Sequence, residues 1–369
     1  MVACQVAICY NGLSYRVIDT LVTTLTTDDD MSARAPTMRD VAAIAGVSIK
    51  TVSRVINDEP GVSSELAERV QAAVKLLGYR HNSAASNLRR ADGRTATIGL
   101  LLEDAANPLF SALHRAIEDV AWEHDTLVFA GSSDADPERE KKIVLALSSR
   151  RIDGIIVVPA IHDHSGLVYM QRLGRPIVFV DRLAALPDAD SVTVDNRVGG
   201  STAVAHLVAH GHRRIAFLGD LHSIWTAAER HLGYIEGLAS AGIQLDPHLV
   251  YQDIRGSVAA EFATLDLLGS ANPPTALFTA QNLITIGAIR ALQRLELQHK
   301  VALVGFDDLE LMDLLDPGVT VIAQNAAKLG RTAAELLFAR LGGDRAPPQH
   351  VVVPTRLIAR GSGEIRLSS

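Results

Sequence analysis

Cysteine is nearly absent from this chain. Its two cysteines, Cys4 and Cys9, lie in the first ten of 369 residues, so the body has no disulfide framework. Such a body suits a reducing compartment, and we expect a cytoplasmic protein. Long uncharged apolar runs are missing as well. None approaches the ~18 residues that a membrane-spanning helix needs, so no membrane partner is expected.

Other signals are missing too. Residues 1–36 lack a basic n-region, a sustained apolar stretch and a small-residue cleavage site, so no secretory signal is predicted. They form either a disordered arm or an extension upstream of the true start. Patterned sequence begins only at Thr37, which favours the extension, with Met1, Met31 and Met38 as candidate starts. The chain has no P-loop, nucleophile elbow or HExxH motif. We therefore expect no enzyme activity, no cofactor and no metal site.

Positive charge is scarce overall but concentrated. The net charge of −7 argues against a protein that coats nucleic acid along its whole surface. Residues 37–94 nevertheless hold nine Lys and Arg against six acidic residues, and the other 311 residues carry a negative excess of ten. A small basic module on a large acidic body suggests that one part of the chain touches DNA.

Residues 37–57, TMRDVAAIAGVSIKTVSRVIN, contain two short amphipathic segments separated by Gly46. Thr37 followed by Asp40 three residues later is the pattern of a capped helix, and Gly46 suits the turn that ends it. The inward-facing residues of this first helix are predicted to be Val41, Ile44 and Ala45. A third helix is predicted after Ser63, so that three helices can form one bundle.

The second segment has two distinct sides at 3.6 residues per turn. Ser48 can cap it. Its apolar side holds Val52, Val55 and Ile56. Its other side holds Ile49, Lys50, Ser53, Arg54 and Asn57. A recognition helix presents such a side to the DNA major groove, whereas an ordinary helical hairpin would leave it merely solvated.

From Thr97 onward, short apolar runs alternate with amphipathic segments of helical period. The runs include TIGLLLE, TLVFAGS, DGIIVVP, PIVFVD, RIAFLGD, ALFTA and VALVGFDD. This alternation predicts parallel sheets covered by helices on both faces. About ten such strands predict two sheets, and hence two subdomains.

Polar residues follow many of these strands, and ligands of open α/β sheets bind beyond the carboxyl ends of strands. These residues are Asp104, Asn107, Ser132, Asp134, Asp181, Arg182, Asp195, Gln281, Asn282, Asp307 and Asp308. Facing subdomains would form a cleft suited to the hydroxyls of a sugar, with Phe110 or Trp225 against an apolar ring face. Each of these residues taken singly could equally be a strand-end polar group whose hydrogen bonds are made to the backbone.

The segment DVAAIAGVSIKTVSRVIN closely resembles the helix-turn-helix of the LacI/GalR family of bacterial transcription regulators. LGYRHNSAASNLRR resembles the end of that family's third helix and its hinge. The family's order continues through TIGLLLEDAANPLF, RRIDGIIVVP, VDNRVGG, GHRRIAFLGD, ERHLGYIEGL and VALVGFDD. The resemblance implies a small all-α helix-turn-helix DNA-binding domain plus an α/β periplasmic-binding-protein-like body of two doubly wound parallel-sheet subdomains.

The resemblance also implies a division of the chain. The expected parts are a DNA-binding domain in 37–81, a hinge in 82–94 and an effector-binding and dimerisation domain in 95–369. Within the body, crossings between subdomains are expected near 182–190, 319–323 and 343–348. The N-subdomain would hold about 95–185 and 323–345, and the C-subdomain about 186–322 and 346–362.

By resemblance, Ile49, Lys50 and Arg54 read bases. Arg54 suits a guanine, since its guanidinium can donate to O6 and N7 together. The residues expected to contact the DNA backbone are Ser48, Thr51, Ser53 and Asn57.

The hinge candidate, residues 82–90, is too short to hold a helix alone. By resemblance, two such segments from a dimer pack in the minor groove, where Leu88 opens a base step. Ala85 would lie close by and Arg89 would contact a phosphate. Without DNA, a flexible linker describes the segment equally well.

For the effector, the resemblance adds Arg230 to the strand-end residues. The predicted effector site is Asn107, Phe110, Asp181, Arg182, Arg230, Gln281, Asn282 and Asp307. One departure weakens transfer of any specific ligand. The family usually has Asn-Asp after the ALFTA strand, and this chain has Gln281 and Asn282, so an amide replaces a carboxylate.

The function that these features favour is transcription regulation, with the protein acting as a repressor. It would bind a pseudo-palindromic double-stranded DNA operator as a homodimer under allosteric control by a small-molecule effector, a sugar or sugar derivative. The alternative is a solute-binding protein of a transport system, which would use the body without DNA and would need export. Effector identity, operator sequence and mode of control stay open.

Overall fold

The computed structural model describes residues 36–56, 59–79, 94–160, 165–183 and 186–367. The chain forms two compact units, Met1–Ser86 and Asn87–Ser369. Within the described ranges, no helix has the length and apolar character to cross a membrane. The contacts predicted for Asn57, Ala85, Leu88 and Arg89 fall outside those ranges and stay predictions.

The first unit contains three helices. They are α1 (Met38–Ala45), α2 (Ile49–Ile56) and α3 (Ser64–Leu77). The predicted caps are confirmed. The Thr37 backbone N–H donates to the Asp40 carboxylate at 2.7 Å, and Gly46 ends α1 in the left-handed region with φ 64°. The Ser48 hydroxyl accepts from the Thr51 N–H at 3.1 Å, which fixes the start of α2.

The core of this bundle differs from the prediction at one position. Its fully buried residues are Val41, Ala42, Ala45, Val52, Val70 and Ala73. Ile44 was expected to face inward, but 46% of its surface is exposed. Successive helix residues are about 100° apart, so the arc that holds the buried α1 residues is centred about 110° from Ile44.

The second unit contains two six-stranded sheets, as the two-subdomain prediction requires. The strands are β1 (Thr97–Leu102), β2 (Leu127–Ser132), β3 (Gly154–Val157), β4 (Ile177–Val180), β5 (Asp190–Val194), β6 (Ile215–Leu218), β7 (Val250–Tyr251), β8 (Ala276–Thr279), β9 (Ala302–Phe306), β10 (Thr320–Ala323), β11 (His350–Val353) and β12 (Arg356–Ile358). The first sheet has the order β11-β5-β4-β3-β1-β2 and the second β12-β10-β9-β8-β6-β7. All neighbours are parallel except β10 and β12.

Helices cover both faces of each sheet. They are α4 (Pro108–Glu123), α5 (Pro137–Ser149), α6 (Ser165–Arg172), α7 (Asn196–Ala209), α8 (Trp225–Ser240), α9 (Gly256–Leu268), α10 (Asn282–Arg294) and α11 (Ala326–Leu341). On the first sheet, α4 and α11 pack over one apolar face, with α5 and α6 over the other. On the second sheet, α7 and α8 lie opposite α9 and α10. Such coverage explains why the strands read as continuous apolar runs.

The strand pairing moves two of the predicted crossings. Asp190–Val194 and His350–Val353 pair with each other in the first sheet. The crossings expected near 182–190 and 343–348 are therefore wrong, because the chain leaves this sheet only after Val194 and after Val353. The physical reason is that sheet membership depends on long-range pairing, which a buried apolar strand does not encode locally.

The three links between subdomains lie close to one another. They are Asp195, Gln324 with Asn325, and Pro354 with Thr355. The Asp195 carboxylate accepts from the Thr355 N–H at 2.7 Å, which ties the first link to the third.

One predicted strand is less covered than expected. Strand β2 lies at the edge of the first sheet, and its Leu127 and Phe129 are 59% and 41% exposed. The segment TLVFAGS is thus a strand with an uncovered apolar side.

Candidate functional site: a cleft in the body and a helix face in the first unit

Two aspartates occupy equivalent positions in the two subdomains. Asp181 follows β4 and Asp307 follows β9, and each has φ 72°. Each donates its N–H to the adjacent strand at 2.9 Å, Asp181 to the Val192 carbonyl and Asp307 to that of Ile322. Aspartate tolerates this left-handed conformation better than bulkier residues do. Both aspartates line the same cavity.

This cavity lies between the two subdomains and has an empty volume of about 400 Å³, part of which is open to solvent. The polar residues that line it are Glu103, Asn107, Asp181, Arg182, Asp220, Thr226, Arg230, Gln281 and Asp307. The other lining residues are Leu109, Phe110, Ile224, Ala227 and Ala280.

Seven of the eight residues predicted for the effector site line this cavity. They are Asn107, Phe110, Asp181, Arg182, Arg230, Gln281 and Asp307. The eighth, Asn282, lies behind Asn107. The two side chains exchange reciprocal amide hydrogen bonds, with Asn282 Nδ2 donating at 2.7 Å and Asn107 Nδ2 donating at 3.3 Å. Asn107 belongs to the first subdomain and Asn282 to the second, so this buried pair joins the walls of the cleft.

Gln281 occupies the position where the family usually has asparagine. Its side-chain oxygen caps α10, accepting from the N–H groups of Leu283 at 2.8 Å and Ile284 at 3.2 Å. The Gln281 side-chain oxygen is therefore held by the helix that it begins.

Arg230 is placed by the close packing of α7 and α8. A Cβ on Gly233 would lie 2.1 Å from the Arg197 carbonyl oxygen, and one on Gly200 would lie 2.6 Å from the Arg230 carbonyl oxygen. Only glycine permits such an approach. The approach lets Arg230 Nε donate to Asn196 Oδ1 at 2.8 Å.

Arg230 has three further neighbours in the cavity wall. Its Nη1 donates to the Ala280 carbonyl at 2.8 Å and lies 4.0 Å from the Asp307 carboxylate. Its guanidinium carbon lies 3.7 Å from the centre of the Phe306 ring, a cation–π contact. Burial lowers the pKa of Arg230, against the opposing effect of Asp307 and Asp181.

Arg182 pairs with carboxylates of its own subdomain. It forms a short ion pair with Glu103, and its Nε lies 3.4 Å from Asp181. Burial alone would lower the pKa of Arg182, but the attraction of Glu103 and Asp181 raises it. Burial raises the pKa of Asp181, an effect that Arg182 and Arg230 reduce and that Asp307 and Glu103 reinforce.

Some predicted strand-end residues lie away from the cavity. These are Asp104, Ser132, Asp134, Asp195 and Asp308, and Trp225 does not line it either. Two carboxylates of the cavity were not predicted, Glu103 and Asp220. Glu103 directly follows β1 and Asp220 is the second residue after β6, so the strand-end rule also applies to them. No comparable signal marks Ile224, Thr226 or Ala227.

The second candidate site is the outer face of α2 in the first unit. Ile49 is 44% exposed and Lys50 is exposed, whereas Val52 is fully buried on the opposite side. The Arg54 side chain is 42% exposed and lies 3.9 Å from Glu59. The accessible face of the helix therefore offers Ile49 and Lys50 in its first turn and Arg54 in its last turn.

Comparisons with known proteins find matches for both units of the chain. Residues 37–82 match the family model "Bacterial regulatory proteins, lacI family", and residues 204–363 match "Periplasmic binding protein-like domain". The chain is 30% identical over 330 residues to the HTH-type transcriptional repressor CytR of Escherichia coli (strain K12), covering 89% of this chain and 96% of that protein. It is 35% identical over 331 residues to the HTH-type transcriptional regulator PtxS of Pseudomonas aeruginosa, covering 88% and 95%.

Solved structures give the same result. A lac repressor dimer bound to operator and the anti-inducer ONPF has a TM-score of 0.78 at 27% identity, covering 91% of this chain and 100% of that one. The complex of the transcriptional regulator CelR with cellobiose has a TM-score of 0.67 at 29% identity, covering 89% and 99%.

The fold and these matches define a helix-turn-helix transcription regulator with a periplasmic-binding-protein-like body. The chain belongs to the LacI family of bacterial regulatory proteins.

Proposed function

We propose that this protein represses transcription by binding a pseudo-palindromic operator as a homodimer, and that a sugar or sugar derivative in the cleft controls this binding. The observation that carries the proposal is the exposed face of α2. Lys50 and Arg54 supply cationic donors there, and Ile49 supplies an apolar contact such as a thymine methyl group accepts. Ser48, Thr51 and Ser53 lie along the same helix and would contact phosphates.

The proposed dimer rests on apolar surface that each subdomain leaves uncovered. Trp122, Leu127 and Phe129 of the first subdomain are 79%, 59% and 41% exposed. Val258 and Phe262 on α9 of the second are 61% and 65% exposed. Apolar residues grouped in this way mark interaction sites. A two-fold dimer would place two copies of α2 on two half-sites, and hence requires a pseudo-palindromic operator.

The proposed effector control rests on bonds between the cavity and the links. Arg230 bonds to Asn196, the residue after the first link, and Asp307 accepts from Gln324 of the second link at 2.5 Å. A ligand that competes for Arg230 or Asp307 would change these bonds and thereby the relation of the subdomains. Coupling of this kind is commonly worth ~1–3 kcal/mol. The lac repressor structure is bound to ONPF and the CelR structure to cellobiose, which supports a sugar-like ligand for this chain.

Selection of bound sequences from random DNA by the full-length protein, followed by gel shift, tests the DNA half of the proposal. We expect a pseudo-palindromic consensus. Lys50→Ala and Arg54→Ala should each relax selectivity by about 1–3 kcal/mol at one position of each half-site. Lys75→Ala is the matched control, since it removes an exposed cation of the same unit from α3. Absence of any consensus, or equal loss with all three variants, would refute base reading by α2.

A further inference from the structure

The cleft is lined by more acidic than basic groups. Its carboxylates are Glu103, Asp181, Asp220 and Asp307. Its only cations among the described lining residues are Arg182 and Arg230. An additional arginine, Arg255, lies 4.0 Å from Glu103 with its side chain 52% exposed. The lining therefore carries two formal negative charges, which fall to one when Arg255 is counted.

The three nitrogens of Arg182 all face groups of its own subdomain. Its Nη2 is paired with Glu103, and its Nη1 donates to the Pro159 carbonyl at 3.2 Å. Its Nε points toward Asp181 at 3.4 Å, and the whole side chain is 6% exposed. The positive charge of this guanidinium is therefore already offset by two carboxylates of the chain, Glu103 and Asp181.

Arg230 is compensated in the same way. Two of its nitrogens are held by Asn196 and by the Ala280 carbonyl, and Asp307 lies 4.0 Å away. Its Nη2 remains for a ligand, but the positive charge of the guanidinium is already offset by Asp307 in the cavity wall.

Asp220 is the carboxylate of the cleft lining for which the described residues provide no ion pair. Its Oδ1 accepts from the Leu221 N–H at 2.7 Å, and no cationic atom of the described residues lies within 4.0 Å of it. Burial raises the pKa of Asp220, reinforced by Glu103 and opposed by Arg255 and Arg182. Burial raises the pKa of Asp181 on the other wall as well, so on both walls burial disfavours the charged form of a carboxylate.

We propose that this cleft selects an uncharged or amine-bearing sugar, and that it discriminates against sugars that carry a carboxylate or a phosphate, with Asp181 and Asp220 as the residues that impose the choice. The inference rests on the proposed function, because it specifies the charge class of the effector for the same cleft. Hydroxyl or ammonium donors would satisfy the two carboxylates, whereas a further anion would add repulsion in a buried site.

Thermal unfolding and calorimetry of the full-length protein with matched probes test this choice. The probes are glucose, glucosamine, glucuronate and glucose 6-phosphate, together with galactose, galactosamine, galacturonate and galactose 6-phosphate. Within a series that binds, the neutral or amino sugar should bind at least about tenfold more tightly than its anionic relatives, which corresponds to 1.4 kcal/mol. Asp220→Asn should reduce this difference in affinity between the neutral or amino sugar and its anionic relatives.

If a uronate or a sugar phosphate binds as tightly as its neutral parent, the proposed discrimination against anionic sugars is wrong. Regulation by a sugar would not be contradicted by that result. If none of the eight probes binds, that result counts against the sugar effector of the proposed function. The proposed discrimination by charge is then tested by the stability of variants that lack a cleft carboxylate.

For that decision, Asp181→Asn and Asp220→Asn are each expected to raise the Tm at pH 7.5. Asparagine keeps the shape of the side chain and removes one charge from a lining with an acidic excess, and it also tolerates the left-handed backbone of Asp181. Asp308→Asn is the control of opposite sign, since Asp308 is paired with Arg360 at 2.6 Å outside the cavity. An unchanged or lower Tm for both cleft variants would overturn the inference.

Discussion

Asn282 shows how one functional group changes what a cleft can do. A carboxylate at this position could only accept hydrogen bonds, but the amide both accepts from and donates to Asn107. Asn282 is 1% exposed and Asn107 is 7% exposed, so solvent does not compete for the pair. The departure from the usual family residue thus adds a second hydrogen bond between the two subdomains, donated by Asn282 Nδ2.

A double-mutant cycle measures this bond. Asn107→Ser, Asn282→Ser and the double variant should show a coupling free energy of unfolding of about 0.5–3 kcal/mol, because either single change already removes both hydrogen bonds. Serine at 107 still offers an oxygen to cap α4, where Asn107 now accepts from the Leu109 N–H at 3.1 Å. Urea unfolding of the four proteins gives the value. Additivity within about 0.3 kcal/mol would mean that the pair does not hold the cleft.

At the same scale, most of the candidate cleft could be predicted and some could not. Asp181, Arg182 and Asp307 were predictable because each directly follows a buried strand. Glu103 and Asp220 carry the same signal, since they lie within two residues of the ends of β1 and β6. The ion-pair partners of the cleft residues could not be predicted in the same way. Arg182 and its partner Glu103 are 79 residues apart in the chain, and no local sequence pattern links them.

Among the elements, the α7–α8 pair has the tightest requirement. Gly233→Ala should destabilise the protein by about 2–3 kcal/mol, because the new Cβ would overlap the Arg197 carbonyl oxygen at 2.1 Å. The substitution would otherwise favour a helix by about 1 kcal/mol. Since Asn196 precedes Arg197, displacement of α7 should also weaken the Arg230 bond and ligand binding.

Urea unfolding and ligand titration together check that expectation. Leu232→Ala is the neighbouring control, since Leu232 lies on the same helix, is 39% exposed and introduces no backbone overlap. A Gly233→Ala protein as stable as the wild type would show that α7 and α8 can separate without cost.

Elements were easier to predict than their placement. Helix caps at Thr37 and Ser48, glycine ends and βαβ alternation are local signals, and the structure agrees with them. The crossings were not local. Strand β5 joins the first sheet because it pairs with β4 and β11, which lie before it and far beyond it in the chain. Only the assembled sheet decides which subdomain such a strand enters.

In the whole molecule, the proposed dimer links the reading helix to the cleft. A single α2 presents three side chains for reading bases, which gives little specificity, so two copies are needed for a longer site. Phe129→Asp and Phe262→Asp place a charge in the exposed apolar patch of the first and second subdomain, respectively. Each should shift the protein from dimer toward monomer at micromolar concentration, because burying an unpaired charge in an interface is costly.

Light scattering after size-exclusion chromatography measures the oligomeric state, and gel shift measures operator affinity in parallel. Leu314→Asp is the control, as Leu314 is 74% exposed and belongs to neither patch. We expect it to remain dimeric and to bind DNA normally. The two patch variants should lose operator binding steeply with dilution, because the monomer holds only one half-site. If the patch variants stayed dimeric like the control, these surfaces would not form the interface, and the two half-sites would have to be brought together elsewhere.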